Sequence, residues 1–303
     1  MPGEPAFDVL GIGTVAVDDV LTVARYPGPD EKAEILASAR HGGGQVATAL
    51  AAAAGLGARC AFAGNLGTDE LSAFARRGLR QAGVGCERLV ETPGAGPIHS
   101  VIVADAAGSR TIFYSRRAFR PLPASAVGED LVGQARVLLI DQSGVACASA
   151  AADAARRLGV PVVADMEWPD QPGIDELMRR VDHLILPRQF AAAFTGLADP
   201  ARMVGVVRAR FRPACTVVTC GAEGCCFAIG GGAVRRFAAP AVRAVETTGC
   251  GDVFHGAYAA ELARGLDVPA CIATATAAAA AYAARPNGWA NLPAREDLVG
   301  LME

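Results

Sequence analysis

The sequence predicts an α/β fold whose main body is a mostly parallel sheet covered by helices on both faces. Apolar strand-like runs alternate with helix-like runs over most of the chain, which is typical of such a sheet. Two segments, near residues 14–40 and 97–118, are rich in short strands instead, so they can pair into a small separate sheet. The 303 residues, 52% of them apolar, suit a single domain over 1–303.

The N-terminal half begins with a strand and contains two helices that end at glycines. Strands are predicted at 7–12, 60–63, 100–104 and 110–114, and helices at 45–54 and 68–82. Gly83 and Gly85 end the second helix. Residues 105–109 are predicted to be a hairpin loop between the last two strands.

The C-terminal half alternates more regularly. Strands are predicted at 137–140, 160–164, 183–186, 216–219, 225–229 and 234–237, and helices at 147–158, 174–180 and 204–210 and from Cys250 and Val268 onward. The last three strands are expected to be an antiparallel addition to the sheet, turned by glycines at 230–232. A strand-like run at 241–245 precedes the helix that begins at Cys250.

Charge and composition exclude several functions. The formal net charge of −3 gives no electrostatic reason to bind nucleic acid or an anionic membrane. Lys32 is the only lysine, against 27 arginines, so the chain has no Walker A lysine next to Ser or Thr and no suitable Schiff-base amine. A phosphate site in this chain would therefore have to be built from backbone amides.

The cysteines predict a reducing compartment. The nine cysteines include no Cys-x-x-Cys pair, and most lie in apolar runs, which favours buried free thiols. The sequence starts without the charged and apolar regions of a signal peptide, and no apolar run is long enough to span a bilayer. We therefore expect a cytoplasmic location.

The motif that most clearly indicates a functional site is the segment 247–256, Thr-Thr-Gly-Cys-Gly-Asp-Val-Phe-His-Gly. Glycines before a helix leave backbone N–H groups exposed, and the first helical turn carries the positive end of the helix dipole, so a phosphate fits there. Asp252 lies in that turn, where it can take a proton from an attacking hydroxyl. The alternative is an ordinary capped helix start, in which Thr248 or Asp252 serves only the backbone.

A second glycine cluster favours the functional alternative. Gly42-Gly43-Gly44 also precedes a helix, and three successive glycines are costly unless the backbone needs unusual dihedral angles or a close neighbour. The similar segment at 64–69 is expected to be a structural turn. Gly11-x-Gly13 lacks the third glycine and the following helix of a dinucleotide-binding fingerprint, which argues against a Rossmann dehydrogenase.

Together these motifs resemble the ribokinase-like (PfkB) family of carbohydrate kinases. The resemblance covers nearly the whole chain: the early Gly-x-Gly strand, the glycine turn at 42–44, the segment at 218–224 and the signature at 247–252 occur in the family's order. It implies a doubly wound α/β domain in which the segments near 14–40 and 97–118 form a small β-sheet lid. The blocks at 42–49, 251–257 and 285–288 are most similar to the ketohexokinase and sulfofructose kinase branches.

The resemblance also implies the residues of the site. Asp252 corresponds to the base that activates a sugar hydroxyl, and Gly249, Cys250 and Gly251 to the anion hole. The implied sugar contacts are Asp18, Gly43, Gly44 and Gln45, and the implied nucleotide contacts are Thr219, Gly221, Gly224 and Asn287. ATP and Mg²⁺ would be required, and the partner would be a small sugar. Lid sheets that pack together would make a homodimer.

Three positions depart from the family pattern. Glu246 replaces an aspartate that is linked to a monovalent cation site, so a K⁺ site would have to use Glu246. Cys250 replaces an alanine, which places a thiol at a helix N-terminus, where a lowered pKa is expected. The family's Asn-x-x-Glu motif has no clean match near residues 188–191, so Mg²⁺ is expected to be held mainly by phosphates and water.

Several basic and aromatic side chains are candidates for contacts with the substrate. Lys32 corresponds to a sulfonate-contacting lysine of the sulfofructose branch, although a solvated surface lysine is the simpler alternative. Arg116, Arg117 and Arg120 supply positive charge near the lid or merely solvate a loop. Tyr114 offers an aromatic surface to a substrate. No partner is identified for His99 or His255.

We therefore predict an ATP-dependent sugar kinase with Asp252 as its general base. A nucleoside kinase of the same fold is the first alternative, and Phe113 and Tyr114 would then stack on the base. A non-catalytic sugar sensor is the second alternative, and the retained Asp252 argues against it.

Overall fold

The computed structural model describes residues 4–105, 109–286 and 288–302. The first half contains seven strands and two helices: β1 (Phe7–Ile12), β2 (Ala16–Val23), β3 (Ile35–Gly43), α1 (Gln45–Gly55), β4 (Cys60–Leu66), α2 (Glu70–Gln81), β5 (Val84–Glu91), β6 (Ile98–Asp105) and β7 (Arg110–Ser115).

The second half contains the rest of the large sheet and most of the helices. Its elements are α3 (Glu129–Val132), β8 (Ala135–Asp141), α4 (Val145–Leu158), β9 (Val162–Asp165), α5 (Ile174–Met178), β10 (His183–Pro187), α6 (Arg188–Thr195), α7 (Pro200–Phe211), β11 (Cys215–Thr219), β12 (Cys225–Ile229), β13 (Arg235–Phe237), α8 (Cys250–Ala263) and α9 (Val268–Ala283).

The large sheet has nine strands in the order β13-β12-β11-β10-β9-β8-β1-β4-β5. The strands from β11 to β5 in this order are parallel to one another, and β12 pairs antiparallel with both β11 and β13, so it is the one reversed strand of this sheet in the described residues. The predicted mostly parallel sheet is therefore confirmed. Of the three strands expected as an antiparallel addition, β11 instead continues the parallel part beside β10.

The hydrophobic core lies on both faces of this sheet. Alternate residues of β1 point to opposite faces, so Val9 packs with α1, α8 and α9 while Leu10 packs with α4, α6 and α7. Both residues are fully buried. A strand that is buried on both faces reads as a continuous apolar run, which is why these strands were visible in the sequence.

A second sheet has four strands in the order β3-β2-β6-β7. The strand β2 is antiparallel to β3 and parallel to β6, and Asp18 of β2 lies opposite Ser100 of β6. Two segments about 80 residues apart in sequence therefore pair directly. The tip of the predicted hairpin, residues 106–108, lies outside the described residues.

Two sequence predictions about strands were wrong. The strand β5 was missed, because it lies at the edge of the sheet, where Glu87 and Arg88 interrupt the apolar pattern. Residues 241–245 form no strand: the amides of Val245 and Glu246 both donate to the carbonyl of Ala283 at the end of α9. Val245 is 61% exposed, so its apolar character does not reflect burial in a sheet.

The cysteines and the apolar helices bear on the chemistry and the surroundings of the chain. All nine cysteines are free, and most are buried. In the described part of the chain, no single helix is both long and apolar enough to cross a membrane. Only the bent pair α6 and α7, taken together, satisfies the length and composition criteria for a span.

Candidate active site

A cavity of about 530 Å³ lies at the carboxyl ends of the parallel strands, beneath the small sheet. This is the edge at which α/β sheets bind their ligands. Its roof includes Asp18 of β2 and Tyr114 of β7, and its floor includes Asp165 at the end of β9 and Asp252 at the start of α8. The cavity therefore unites residues from both halves of the sequence.

The start of α8 presents free backbone donors to this cavity. Gly249 precedes the helix with φ of 79°, a left-handed conformation that favours glycine, and no side chain caps the helix. The amide of Cys250 is turned back to the carbonyl of Thr247 at 3.3 Å. Gly249, Gly251 and Asp252 line the cavity, so an anion can approach the first turn of the helix.

Asp252 is surrounded by other carboxylates. Its burial, together with the charges of Asp165, Glu167 and Asp141, raises the pKa of its carboxyl well above the ordinary value of 3.8. A carboxyl with a raised pKa is a stronger base once it is ionised, which suits proton abstraction from a hydroxyl. The same excess of negative charge would be relieved by a cation or by a cationic ligand.

The atoms around the turn before α1 leave no room for a side chain at its three glycines. A Cβ atom on Gly43 would lie 2.2 Å from Oδ2 of Asp18, and one on Gly42 would lie 2.7 Å from the ring of Trp289. Gly44 has φ of 93° and leaves only 2.7 Å between its Cβ position and the backbone of Val15. The turn therefore brings backbone close to Asp18, whose pKa is raised by burial.

The remaining predicted sugar contacts lie in the same place. Gln45 and Gly44 line the cavity, and the amide of Gln45 donates to the hydroxyl of Thr14 at 3.1 Å. Thr14 in turn donates through its amide and its hydroxyl to Oδ2 of the buried Asp141, at 2.7 and 2.8 Å. This network holds the end of β1 beneath the glycine turn, and no pattern in the sequence predicted it.

The predicted nucleotide contacts are only partly gathered at the cavity. Thr219, at the end of β11, lines it. Gly221 and Gly224 lie in the tight turn that follows, both with positive φ, and are not among the residues that line it. Asn287 lies outside the described residues. Its neighbour Gly288 lines the cavity and donates its amide to the hydroxyl of Tyr282 at 3.1 Å.

The expected lowering of the Cys250 pKa was wrong. Burial, reinforced by the charges of Asp252 and Glu246, raises the pKa of this thiol to about 11. The helix dipole contributes roughly half a unit charge and is outweighed here by desolvation and two carboxylates.

Glu246 is already engaged by protein groups. Its carboxylate accepts hydrogen bonds from the amides of Thr247 and Thr248 at 3.0 and 3.1 Å, and Arg110 of β7 contacts it together with the hydroxyl of Thr248. Burial opposes ionisation of Glu246, but the bonds from Thr248 and the charge of Arg110 outweigh it and lower the pKa. The small sheet therefore reaches the start of α8 through Arg110.

Lys32 is exposed in the loop between β2 and β3 and is not among the residues that line the cavity. Arg116 lines it instead, at the end of β7, beside Trp168. Arg117 and Arg120 are exposed and do not line it.

The structure assigns partners to both histidines that the sequence left open. His255 is 2% exposed, and its Nδ1 and Nε2 lie 2.8 Å and 3.1 Å from the carbonyl oxygens of Gly251 and Ile185. His99 contacts Asp19 at 2.8 Å, on the small sheet.

Asp165 and Glu167 are functional candidates that sequence reasoning missed. Asp165 lies 3.5 Å from the ring of His255, and both acids line the cavity. Asp165 ends β9, a buried strand, and Glu167 lies two residues beyond it. This position was the pattern that could have identified them, because strand ends in α/β sheets meet at the ligand edge.

The carboxylates of the floor suit a divalent cation that arrives with a nucleotide. Asp165, Glu167 and Asp252 give an excess of negative charge, and oxygen donors are what Mg²⁺ prefers. No group of three or more His, Cys, Asp or Glu side chains in the described residues is arranged to hold a metal by itself. Asp165 and Glu167 would therefore supply only part of the coordination.

Comparison with known proteins identifies the family. Residues 7–295 match the model of the pfkB family carbohydrate kinases. The chain is 23% identical to a 5-dehydro-2-deoxygluconokinase of Shouchella clausii, covering 98% of this chain and 96% of that protein. It is 26% identical over 84% of its length to a bifunctional ribokinase/ribose-5-phosphate isomerase A of Fructilactobacillus sanfranciscensis, of which it spans 48%, about half.

The fold is shared with solved structures of the same family. The Arabidopsis thaliana ribokinase, solved with ribose and ATP, superposes with a TM-score of 0.87 at 22% identity, covering 99% of both chains. The Thermotoga maritima ribokinase gives a TM-score of 0.84 at 21% identity, covering 98% of this chain and 99% of that one. This chain has the ribokinase-like fold and belongs to the pfkB family of carbohydrate kinases.

Proposed function

We propose that this carbohydrate kinase transfers the γ-phosphoryl group of ATP to a sugar hydroxyl, with Asp252 as the general base. The observation that carries the proposal is the placement of Asp252 in the uncapped first turn of α8, on the floor of the cavity. A proton acceptor and backbone donors for the phosphoryl group meet at this point.

The sugar is proposed to lie between the glycine turn and the small sheet. Asp18 projects into the cavity beside Gly43, and Gly44, Gln45 and Tyr114 complete this side. A carboxylate with hydroxyl and amide neighbours is well suited to accept hydrogen bonds from sugar hydroxyls. ATP is assigned to the Thr219 side, where Gly221 and Gly224 shape the adjacent turn and Asn287 stays a predicted contact.

The chemistry follows from these positions. Asp252 takes the proton of the sugar hydroxyl as its oxygen attacks the γ-phosphorus of ATP in line. The bond from the γ-phosphorus to the bridging oxygen breaks, and ADP leaves. The amides at Gly249 and Gly251 stabilise the charge on the transferred group. Cys250, the third predicted member of the anion hole, does not line the cavity, and its amide donates to the carbonyl of Thr247. Mg²⁺, when bound with the nucleotide, offsets the phosphate charge, and Asp165 and Glu167 lie where they would assist in holding it.

The experiment that tests the proposal replaces the base. Asp252→Asn keeps the shape of the side chain and removes the proton acceptor. We expect turnover to fall by about 10²- to 10⁴-fold, the usual contribution of a general base. Binding of sugar and nucleotide should persist, which calorimetry measures. Turnover similar to that of the original protein would contradict the role of Asp252.

A phosphorylation screen with MgATP across ketoses, aldoses, sugar acids and nucleosides separates the alternatives. Preference for nucleosides would indicate a nucleoside kinase, which Tyr114 and Trp168 at the cavity would serve by stacking. Binding of sugars without phosphorylation of any of them would indicate a sensor. The ketohexokinase and sulfofructose kinase branches stay predictions until this screen ranks the sugars.

Two further predictions concern K⁺ and assembly. A K⁺ site at Glu246 would have to share that carboxylate with Arg110.

A homodimer through the small sheets is supported by the exposure of Leu36 and Phe113, which are 58% and 54% accessible. Phe113 alternates with the cavity-lining Ile112 and Tyr114, so it faces away from the site, where a second copy can cover it.

A further inference from the structure

Arg116 lies on the cavity wall and forms no close ion pair with any of the described residues. Arg116 is half-buried at the end of β7, two residues beyond Tyr114 along the same side of the chain, and both line the cavity. Its guanidinium lies 5.3 Å from the ring centre of Phe119 and 5.3 Å from that of Trp168. These contacts with two aromatic rings hold the side chain in place.

No carboxylate within the described residues lies within 4 Å of this guanidinium. Its one hydrogen bond to the protein is a long one, 3.5 Å, to the carbonyl of Ser143. Arginines elsewhere on this chain are commonly ion-paired, as Arg40 is with Asp19 and Arg180 with Asp153. A half-buried guanidinium with unused donors on a cavity wall is arranged to receive an anion from a ligand.

The position of Arg116 fits the substrate end of the site. Its charge opposes the rise in the pKa of Glu167, which lines the same cavity. Thr219, on the proposed nucleotide side, comes from β11, whereas Ser143 and Trp168 follow β8 and β9. In the sheet, β10 lies between β9 and β11, so the residues that contact Arg116 come from the opposite side of β10 from Thr219.

We propose that Arg116 recognises an anionic group of the substrate, so that the preferred substrate is an acidic sugar carrying a carboxylate, sulfonate or phosphate. This inference rests on the proposed function and names its substrate class. Lys32, the cation that the sequence suggested for an anionic sugar, does not line the cavity, and Arg116 takes that role. Planar guanidinium groups bind such oxyanions through two parallel hydrogen bonds.

The test compares acidic sugars with matched neutral ones. Each pair differs only in the acid group: a carboxylate against a hydroxymethyl group, and a sulfonate or phosphate against a hydroxyl. We expect kcat/KM of the original protein to favour the acid in at least one pair. Arg116→Gln should lower kcat/KM on that acid by about 10- to 100-fold, mainly through KM, and on its neutral counterpart by less than about threefold.

Two variants serve as controls. Arg116→Lys keeps the charge without the planar fork and should lose an intermediate amount on the acid. Arg117→Gln removes the neighbouring exposed charge, which does not line the cavity, and should leave the preference unchanged. An equal effect of Arg116→Gln and Arg117→Gln would show that only the general positive potential matters and would overturn the proposal.

Binding without ATP keeps the inference separate from the kinase proposal. Trp168 contacts Arg116 and is one of only two tryptophans, so ligand binding should change its fluorescence. If no sugar is phosphorylated but an acid binds more weakly to Arg116→Gln, the kinase proposal fails and the anion site stands. If the original protein binds no acid better than its neutral partner, or if Arg116→Gln weakens both equally, the anion site is refuted.

Discussion

At the scale of single residues, Asp18 and Gly43 define how closely the backbone approaches the sugar side of the cavity. The space between them admits no extra carbon, since a Cβ atom at position 43 would lie 2.2 Å from Oδ2 of Asp18. We predict that Gly43→Ala displaces the Asp18 carboxylate and raises KM for the sugar by about 10-fold or more, as expected for loss of a charged hydrogen bond. Steady-state kinetics with the best sugar of the screen measures this change.

Gly128→Ala is the matched control for this prediction. It lies outside the cavity, and a Cβ atom there would meet nothing within 4 Å. Its KM should equal that of the original protein. An unchanged KM in Gly43→Ala as well would remove Asp18 from the list of sugar contacts.

Some residues of the site could be predicted from the sequence, and others could not. Asp252, Gly43 and Gly44 belong to local patterns in which glycine precedes a helix, so their placement could be predicted. Arg116 follows β7, whereas Asp165 and Glu167 lie at and just beyond the end of β9, so two strand ends from different sheets bring them to the cavity. Their proximity is a property of strand order, which no local pattern in the chain encodes.

At the scale of elements, the contact of α1 with α8 positions both glycine-rich helix starts. Gly256 of α8 lies against α1 so closely that a Cβ atom would come within 1.9 Å of the carbonyl oxygen of Ala49. We predict that Gly256→Ala forces the helices apart and destabilises the fold by about 1–3 kcal/mol, the usual cost of overpacking a core. Denaturant unfolding measures the change.

Gly205→Ala on α7 is the control for helix propensity. It makes the same substitution inside a helix at a position where a Cβ atom meets nothing within 4 Å. It should stabilise the protein by up to about 1 kcal/mol, because alanine favours helix over glycine. A similar gain from Gly256→Ala would show that the two helices have room to spare.

Elements were predicted well where burial is complete and poorly where it is partial. The central strands from β11 to β1 are covered on both faces and appear as apolar runs. The edge strand β5 carries charges, and the exposed segment 241–245 is apolar without being a strand, so pattern and structure disagree at both. The pairing of β2 with β6 could not be predicted in this way, because hydrophobic periodicity identifies strands but does not say which strands pair.

At the scale of the whole molecule, the fold gathers carboxylates from distant parts of the chain against Asp252. Burial and the charges of Asp165 and Glu167 raise the pKa of Asp252 above its ordinary value of 3.8. The folded protein therefore binds this proton more tightly than the unfolded chain does. The stabilisation that results is fully present below the ordinary pKa and is lost as the pH rises through the raised pKa.

We therefore predict that Asp252→Asn, the variant expected to lose activity, is more stable than the original protein at pH 8. Removing the charge should raise Tm by about 1–2 °C, which is what 1 kcal/mol gives in a chain of this size. The difference should shrink as the pH is lowered toward the ordinary carboxyl pKa. Calorimetry of the unliganded proteins at several pH values measures it, and an equal or lower Tm at pH 8 would contradict the charge excess at the site.

The single lysine has a practical consequence for chemistry performed on the protein. Lys32 is exposed in the loop between β2 and β3, and it does not line the cavity. The proposed phosphate site uses backbone amides, which amine-directed reagents do not modify. Apart from the α-amino group, such reagents have one attachment point on this chain. A dye or a solid support coupled through Lys32 would therefore attach the protein in one defined orientation and leave the cavity open.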